Sequence, residues 1–111
     1  MRERSDVAEV RTIVRQVDID GPTATLVVDG EIDMSTVGPL RNALTDSIAA
    51  GCAAIRVDLG EVTFMDSAGL ASLVSAYQML GPNGVLTVVD PGPAVLRVLE
   101  IAGLAGVVQI E

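Results

Sequence analysis

One stretch of this chain combines residue types at a spacing that suits chemistry: Val62-Thr63-Phe64-Met65-Asp66-Ser67-Ala68-Gly69-Leu70. An apolar approach delivers a carboxylate and a hydroxyl, side by side, to the point where the hydropathy pattern changes from strand to helix. A strand-to-helix turn exposes its first side chains, and a helix start leaves backbone N–H groups unpaired. Those donors, with the positive end of the helix dipole, favour an added phosphate. The helix start could therefore stabilise a phosphate held near Ser67. The Ser67 hydroxyl is not placed to attack on its own account, because nothing in the motif can take its proton. Gly69 lacks a Cβ, so another segment can approach its backbone closely. The same residues also have a plainer reading, in which Asp66 or Ser67 caps the helix and Gly69 relieves packing. The residues alone leave both readings open.

The elements that position this stretch follow from periodicity. Val10 to Ile19 is rich in β-branched residues and reads as a strand. Asp20-Gly21-Pro22 is a turn signal, and Thr23 to Val28 reads as the second strand of an antiparallel hairpin. Asp29-Gly30 is expected to loosen or bulge the end of that strand. Asp33 and Ser35 are N-cap types for a helix over about 36–50, with Val37, Leu40, Leu44 and Ile48 facing the core. Ala53 to Leu59 predicts a third strand, followed by a short turn and then Val62 to Met65. Ser67 to Leu80 predicts a helix with Leu70, Leu73, Val74, Tyr77 and Leu80 on one stripe. Val85 to Val89 is a continuous apolar run, as in a strand covered on both faces. A short helix over about 93–102 and a strand from Val107 to Ile110 complete the chain. The expected fold is one α/β domain over residues 10–111 in the order β-β-α-β-α-β-α-β. It has a mixed sheet with an N-terminal antiparallel hairpin, later strands parallel, and helices packed on the sheet. Residues 1–9 are read as a disordered tail.

Composition removes many functions. The chain has 111 residues, no His and one Cys, so a His-based triad, a His metal site and an intrachain disulfide are excluded. Its seven basic residues are all Arg, and without Lys neither a P-loop nor a Schiff base can form. Phe64 and Tyr77 are the only aromatic residues, too few for a base-stacking platform. A net charge of −8 opposes nucleic acid and anionic membrane surfaces and suits a basic protein partner. No cofactor or metal is expected. Cys52 reads as a small buried apolar residue and Asp18-Ile19-Asp20 as a solvated turn. Residues 1–11 are charged and no run reaches 18 apolar residues, so a cytoplasmic protein is expected, with neither signal peptide nor membrane span.

Several segments together resemble the STAS domain family, and within it the bacterial anti-sigma factor antagonists. Gly30-Glu31-Ile32-Asp33 resembles the family's Gly-Glu-Leu-Asp segment after the second strand. Asp58-Leu59-Gly60 and Phe64 to Leu70 resemble its phosphorylation segment. Asp90-Pro91 to Val95 and Ile101-Ala102-Gly103-Leu104 resemble its last turn, helix and final strand. The resemblance spans about residues 10–110.

The resemblance implies a phosphorylation switch on Ser67. In the family, the unmodified antagonist binds an anti-sigma factor that is itself a serine kinase. Phosphorylation by that kinase releases it, and a serine phosphatase resets it. Glu31, Asp33, Asp66 and Gly69 are the implied partner-binding positions. Many family members have Ser or Thr where this chain has Ala68, which leaves Ser67 the only acceptor in the motif. The resemblance implies a regulator that is an enzyme's substrate and not an enzyme. The main alternative is a STAS subunit of a lipid-transport ATP-binding cassette complex, which would bind an ATPase through a similar turn without phosphorylation. A nucleotide-binding sensor is a third reading, poorly served by a chain without Lys.

Overall fold

The computed structural model describes residues 13–111. The expected tail and the first residues of the expected first strand lie outside them. β1 (Val14–Asp20) and β2 (Thr23–Ile32) form the antiparallel hairpin, turned at Gly21 with φ +60°, a backbone state that favours glycine. Then follow α1 (Val37–Ala49), β3 (Ala54–Met65), α2 (Ser67–Leu80), β4 (Val85–Val89), α3 (Pro93–Ile101), a 3₁₀ turn (Leu104–Gly106) and β5 (Gln109–Ile110). The sheet order is β1-β2-β3-β4-β5, and every pair after the hairpin is parallel. The element order and the mixed sheet are those the periodicity predicts.

Alternation assigns the faces of the sheet. Ala24, Leu26 and Val28 of β2 are buried with Ile55, Val57 and Leu59 of β3 and Leu86 and Val88 of β4. Helix α1 packs on α2 and on the β1–β2 hairpin, while α2 also packs on β3 and β4. The opposite face carries the register row Asp18, Thr25, Arg56, Thr87 and Gln109, one residue from each strand. On that face Arg56 holds Glu111 through two hydrogen bonds of 2.8 and 3.2 Å. Arg56 keeps the Glu111 carboxyl below the usual carboxylate range, and Glu111 in turn raises the guanidinium of Arg56. Cys52 is buried, as expected of a small apolar residue.

The structure differs from the sequence expectations in several places, the last strand included, which is only Gln109–Ile110. Strand β2 continues through Asp29-Gly30 to Ile32. The expected turn after Leu59 is absent, and β3 is continuous from Ala54 to Met65. Its pairing with β2 steps from Val27↔Asp58 to Asp29↔Glu61, and from Gly30↔Val62 to Glu31↔Phe64. Each step inserts one extra residue into β3, which bends the strand without ending the ladder. At the first bulge the Asp58 carboxylate accepts the Gly60 N–H at 2.9 Å. On α2, Tyr77 is exposed, and Gly69, Ser72, Leu73 and Ala76 are the buried residues. On β4, Val85 is exposed and only Leu86, Thr87 and Val88 are buried.

Candidate phosphoacceptor and docking site

β2 and β3 run side by side and end together. Ile32 pairs with Met65 as the last rung, and the Asp66 N–H donates to the Ile32 carbonyl at 3.1 Å. The chain therefore leaves the sheet at Asp33 and Asp66 from neighbouring positions. Asp66 is extended (φ −104°, ψ −167°) and is the N-cap of α2. Its Oδ1 accepts the N–H groups of Ala68 at 2.8 Å and Gly69 at 3.4 Å. The Leu70 N–H donates to the Asp66 carbonyl at 3.1 Å, closing the first turn. Ser67 is the first residue of the helix and its side chain is exposed. The plainer capping reading is thus correct for Asp66, and Ser67 beside it is exposed.

Gly69 lies beneath this surface and is buried. A Cβ there would stand 2.5 Å from Met65 Cγ and 2.7 Å from Ile32 Cγ2, closer than real side chains approach. The missing side chain lets α2 seat on the last rung of the β2–β3 ladder. Gly69 itself does not reach the surface.

The segment beside it is held as firmly. The Asp33 Oδ1 accepts the Ser35 N–H at 2.8 Å, the Ser35 hydroxyl at 2.7 Å and the Thr36 N–H at 3.1 Å. The Asp33 carbonyl accepts the Val37 N–H at 2.9 Å. Asp33 does the work of a cap one turn ahead of α1, whose N-cap position is held by Thr36 without a side-chain capping bond. Thr36 is buried; its hydroxyl donates to the Glu31 carbonyl at 2.7 Å and accepts the Asp33 N–H at 2.9 Å. Sequence reasoning passed over Thr36. The signal available was an Asp followed by Ser and Thr two and three residues later, the pattern of overlapping side-chain turns.

The hydrogen bond from the Ser35 hydroxyl, with those from the Ser35 and Thr36 N–H groups, holds the Asp33 carboxyl below its ordinary value. A depressed pKa stabilises the fold above the unfolded value, and that contribution is lost as pH falls through the folded one. The 33–36 turn is therefore expected to keep full strength at neutral pH. It should loosen only as acidification passes through and below the ordinary Asp range. The amide shifts of Ser35 and Thr36, followed by NMR during an acid titration, should move together with a midpoint below that of an exposed Asp. Asp33→Ala should lower Tm and abolish this titration.

The sequence-predicted residues thus converge. Glu31 is exposed and stands beside Phe64 across the β2–β3 ladder. Asp33, Asp66 and Ser67 follow at the same end of the sheet. Among the described residues, no group of three or more His, Cys, Asp or Glu side chains is arranged to hold a metal ion. No helix among them is long and apolar enough to cross a membrane.

A hairpin, three helix-linked parallel strands and a helix started by Asp-Ser define the STAS class of domain. The family model described as "Mlab, STAS domain" matches residues 15–109, and the chain belongs to this family. Within it the chain belongs with the anti-sigma factor antagonists. It is 32% identical over 87 residues to the anti-sigma-B factor antagonist of Listeria monocytogenes, covering 78% of this chain and 76% of that one. The crystal structure of an anti-sigma factor antagonist from Mycobacterium paratuberculosis superposes with a TM-score of 0.81 at 32% identity, covering 91% of this chain and 86% of that one. The fold is also that of the Bacillus antagonist SpoIIAA. The unphosphorylated form of SpoIIAA matches at TM-score 0.75 and 23% identity, covering 86% of this chain and 86% of that one. Membership in a family of antagonists agrees with the expectation of a regulator and not an enzyme.

Proposed function

We propose that this protein binds an anti-sigma factor with serine-kinase activity while Ser67 is unmodified, and releases it once Ser67 carries phosphate. A serine phosphatase restores the binding form. The reading places the cycle in the cytoplasm, where it controls sigma-factor-dependent transcription. The observation that carries it is the exposed Ser67 hydroxyl at the first position of α2, with Asp66, Asp33 and Glu31 at the same end of the sheet. Phosphorylation adds about −1.5 to −2 charges and three acceptor oxygens at that point. A partner surface fitted to a small neutral hydroxyl among carboxylates meets a bulky anion instead. Little backbone movement is needed, because the altered group lies within the docking face.

The test uses purified serine-kinase anti-sigma factors from the same genome. After incubation with ATP, mass spectrometry is expected to find one phosphate, on Ser67, and none on the Ser67→Ala protein. Ser67→Ala should retain its partner in the presence of ATP. Phosphate on another residue, or a phosphorylated protein that still holds the kinase as tightly, would refute the switch. Capture of a transport ATPase with Ser67 unmodified would favour the transport-subunit alternative.

A further inference from the structure

The hydroxyl and carboxylates of this end of the sheet are small or charged, and such groups rarely supply most of the affinity of a protein interface. Two large apolar side chains stand among them. Met34 is 84% exposed, the most exposed large apolar residue among those described, and Phe64, the chain's only Phe, is 47% exposed. Their positions are fixed by the elements already described. Met34 follows Asp33 in the hydrogen-bonded 33–36 turn. Phe64 pairs with Glu31 across the β2–β3 ladder, one rung before Ile32 and Met65. Because strand side chains alternate, Phe64 turns away from the core that Met65 enters. Met34 is almost wholly free of the fold and Phe64 leaves about half of its surface free, and both occupy segments held at the same end of the sheet as Ser67.

The charges around them say what such a patch can receive. Segments 29–36 and 58–69 carry Asp29, Glu31, Asp33, Asp58, Glu61 and Asp66 and contain no Arg. Among the described residues Asp29 is paired with Arg15 at 3.6 Å, and Asp58 also lies in the field of Arg56. A second copy docked here would set acids against acids. An anionic lipid surface would be repelled as well. The patch suits a protein face with an apolar pocket and a basic rim.

We infer that Met34 and Phe64 are the apolar anchors by which this protein grips its anti-sigma factor, with the surrounding carboxylates orienting a basic rim on that partner. The inference rests on the proposed function and adds the residues that supply affinity. Ser67 then acts as a veto on a contact that Met34 and Phe64 make strong. Truncating Met34 removes little folded-state packing, while for the half-buried Phe64 the conservative Phe64→Leu variant and thermal melts separate docking from stability.

The experiment measures binding of the purified kinase to the unphosphorylated protein by titration calorimetry. Met34→Ser and Phe64→Ser are each expected to weaken binding about tenfold or more, while Phe64→Leu restores most of it. Ile101→Ser, which removes an apolar side chain 78% exposed at the end of α3, should bind as wild type does. Added salt should weaken wild-type binding several-fold through the charged rim. Thermal melts of each variant establish that it is folded. If both serine variants bind within twofold of wild type, the anchors are refuted while the switch stands. If the wild-type protein binds no serine-kinase anti-sigma factor, the proposed function fails and this inference fails with it. Self-association that Met34→Ser abolishes, seen by light scattering, would overturn it in favour of a second copy as occupant.

Discussion

A protein carrying phosphoserine at position 67 is expected to bind its anti-sigma factor at least about 100-fold more weakly than the unmodified protein, with its fold unchanged. A factor of 100 corresponds to about 2.7 kcal/mol. Its size follows from where the new charge must go. The sequence suggested that the helix start would accept the phosphate within the protein itself. The structure narrows that possibility, because Asp66 already occupies the place. Its carboxylate takes the N–H groups of Ala68 and Gly69, and its carbonyl takes that of Leu70. Of the donors in the first turn, this leaves the N–H of Ser67. A dianion added there finds few internal partners and a carboxylate next to it, so it projects outward onto the docking face. Two unit charges 4 Å apart interact by about 1 kcal/mol in water and about 4 kcal/mol at the effective dielectric of a protein surface. One or two such repulsions, together with lost shape fit, suffice for the predicted change.

The same reasoning orders the variants. Ser67→Asp adds one charge on a shorter side chain and should weaken binding about tenfold, less than phosphoserine does. Ser67→Ala adds none and should bind as tightly as wild type. Phosphoserine installed during synthesis allows calorimetry without the kinase turning over, and amide spectra report the fold. Affinity for the phosphoserine form within threefold of wild type would mean that the phosphate is accommodated at the helix end after all. In that case Asp66 must have given up its cap, which the Ala68 and Gly69 amide shifts would reveal.

The sequence disclosed the parts of this site that depend on local patterns. Asp66-Ser67 at a change of period announced a helix start, and the structure begins α2 at Ser67. The hairpin was visible because Gly21 supplies its turn between two β-branched runs. What stayed hidden depends on partners distant in sequence. Two bulges in β3 leave Leu59, Val62 and Met65 buried at every third position, a spacing that matches neither strand nor helix and was read as a turn. The role of Thr36 lies in its bond to the Glu31 carbonyl, which a residue type does not announce. Tyr77 was placed in the core because it lies four residues after Leu73, yet it is exposed: Leu73 is buried, Leu70, Val74 and Leu80 pack partly buried against the core, and the small residues Gly69, Ser72 and Ala76 complete the packed face. Ser72 can be buried on that face because its hydroxyl donates to the Gly69 carbonyl at 2.7 Å. Gly69 read as a packing concession or a contact surface, and only the distances to Met65 and Ile32 separate the two.

Those distances carry the largest stability effect expected at the site. Gly69→Val should destabilise the protein by about 3 kcal/mol, the upper part of the usual range for overpacking. Two effects oppose each other at this position. Replacing glycine in the body of a helix gains up to about 1 kcal/mol, less for a β-branched residue. Against that, the added Cβ alone meets Met65 Cγ at 2.5 Å and Ile32 Cγ2 at 2.7 Å. The Ile32 methyl sits on a β-branched side chain that is fully buried and cannot swing away without disturbing its neighbours. Met65 is more adaptable, so Gly69→Ala should cost less, about 1 kcal/mol after the helix gain. At about 4–8 °C per kcal/mol for a domain of this size, Tm should fall by roughly 12–24 °C for Val and roughly 4–8 °C for Ala. The clash is relieved most simply by lifting the first turn of α2 off the Ile32–Met65 rung. That movement would carry Ser67 away from Asp33 and Glu31, so Gly69→Ala should also slow phosphorylation of Ser67 at temperatures where the variant is fully folded. Differential scanning calorimetry measures the first effect and initial rates of phosphate incorporation the second. An alanine variant as stable as wild type would mean that Met65 yields freely and that glycine is not needed to seat the helix.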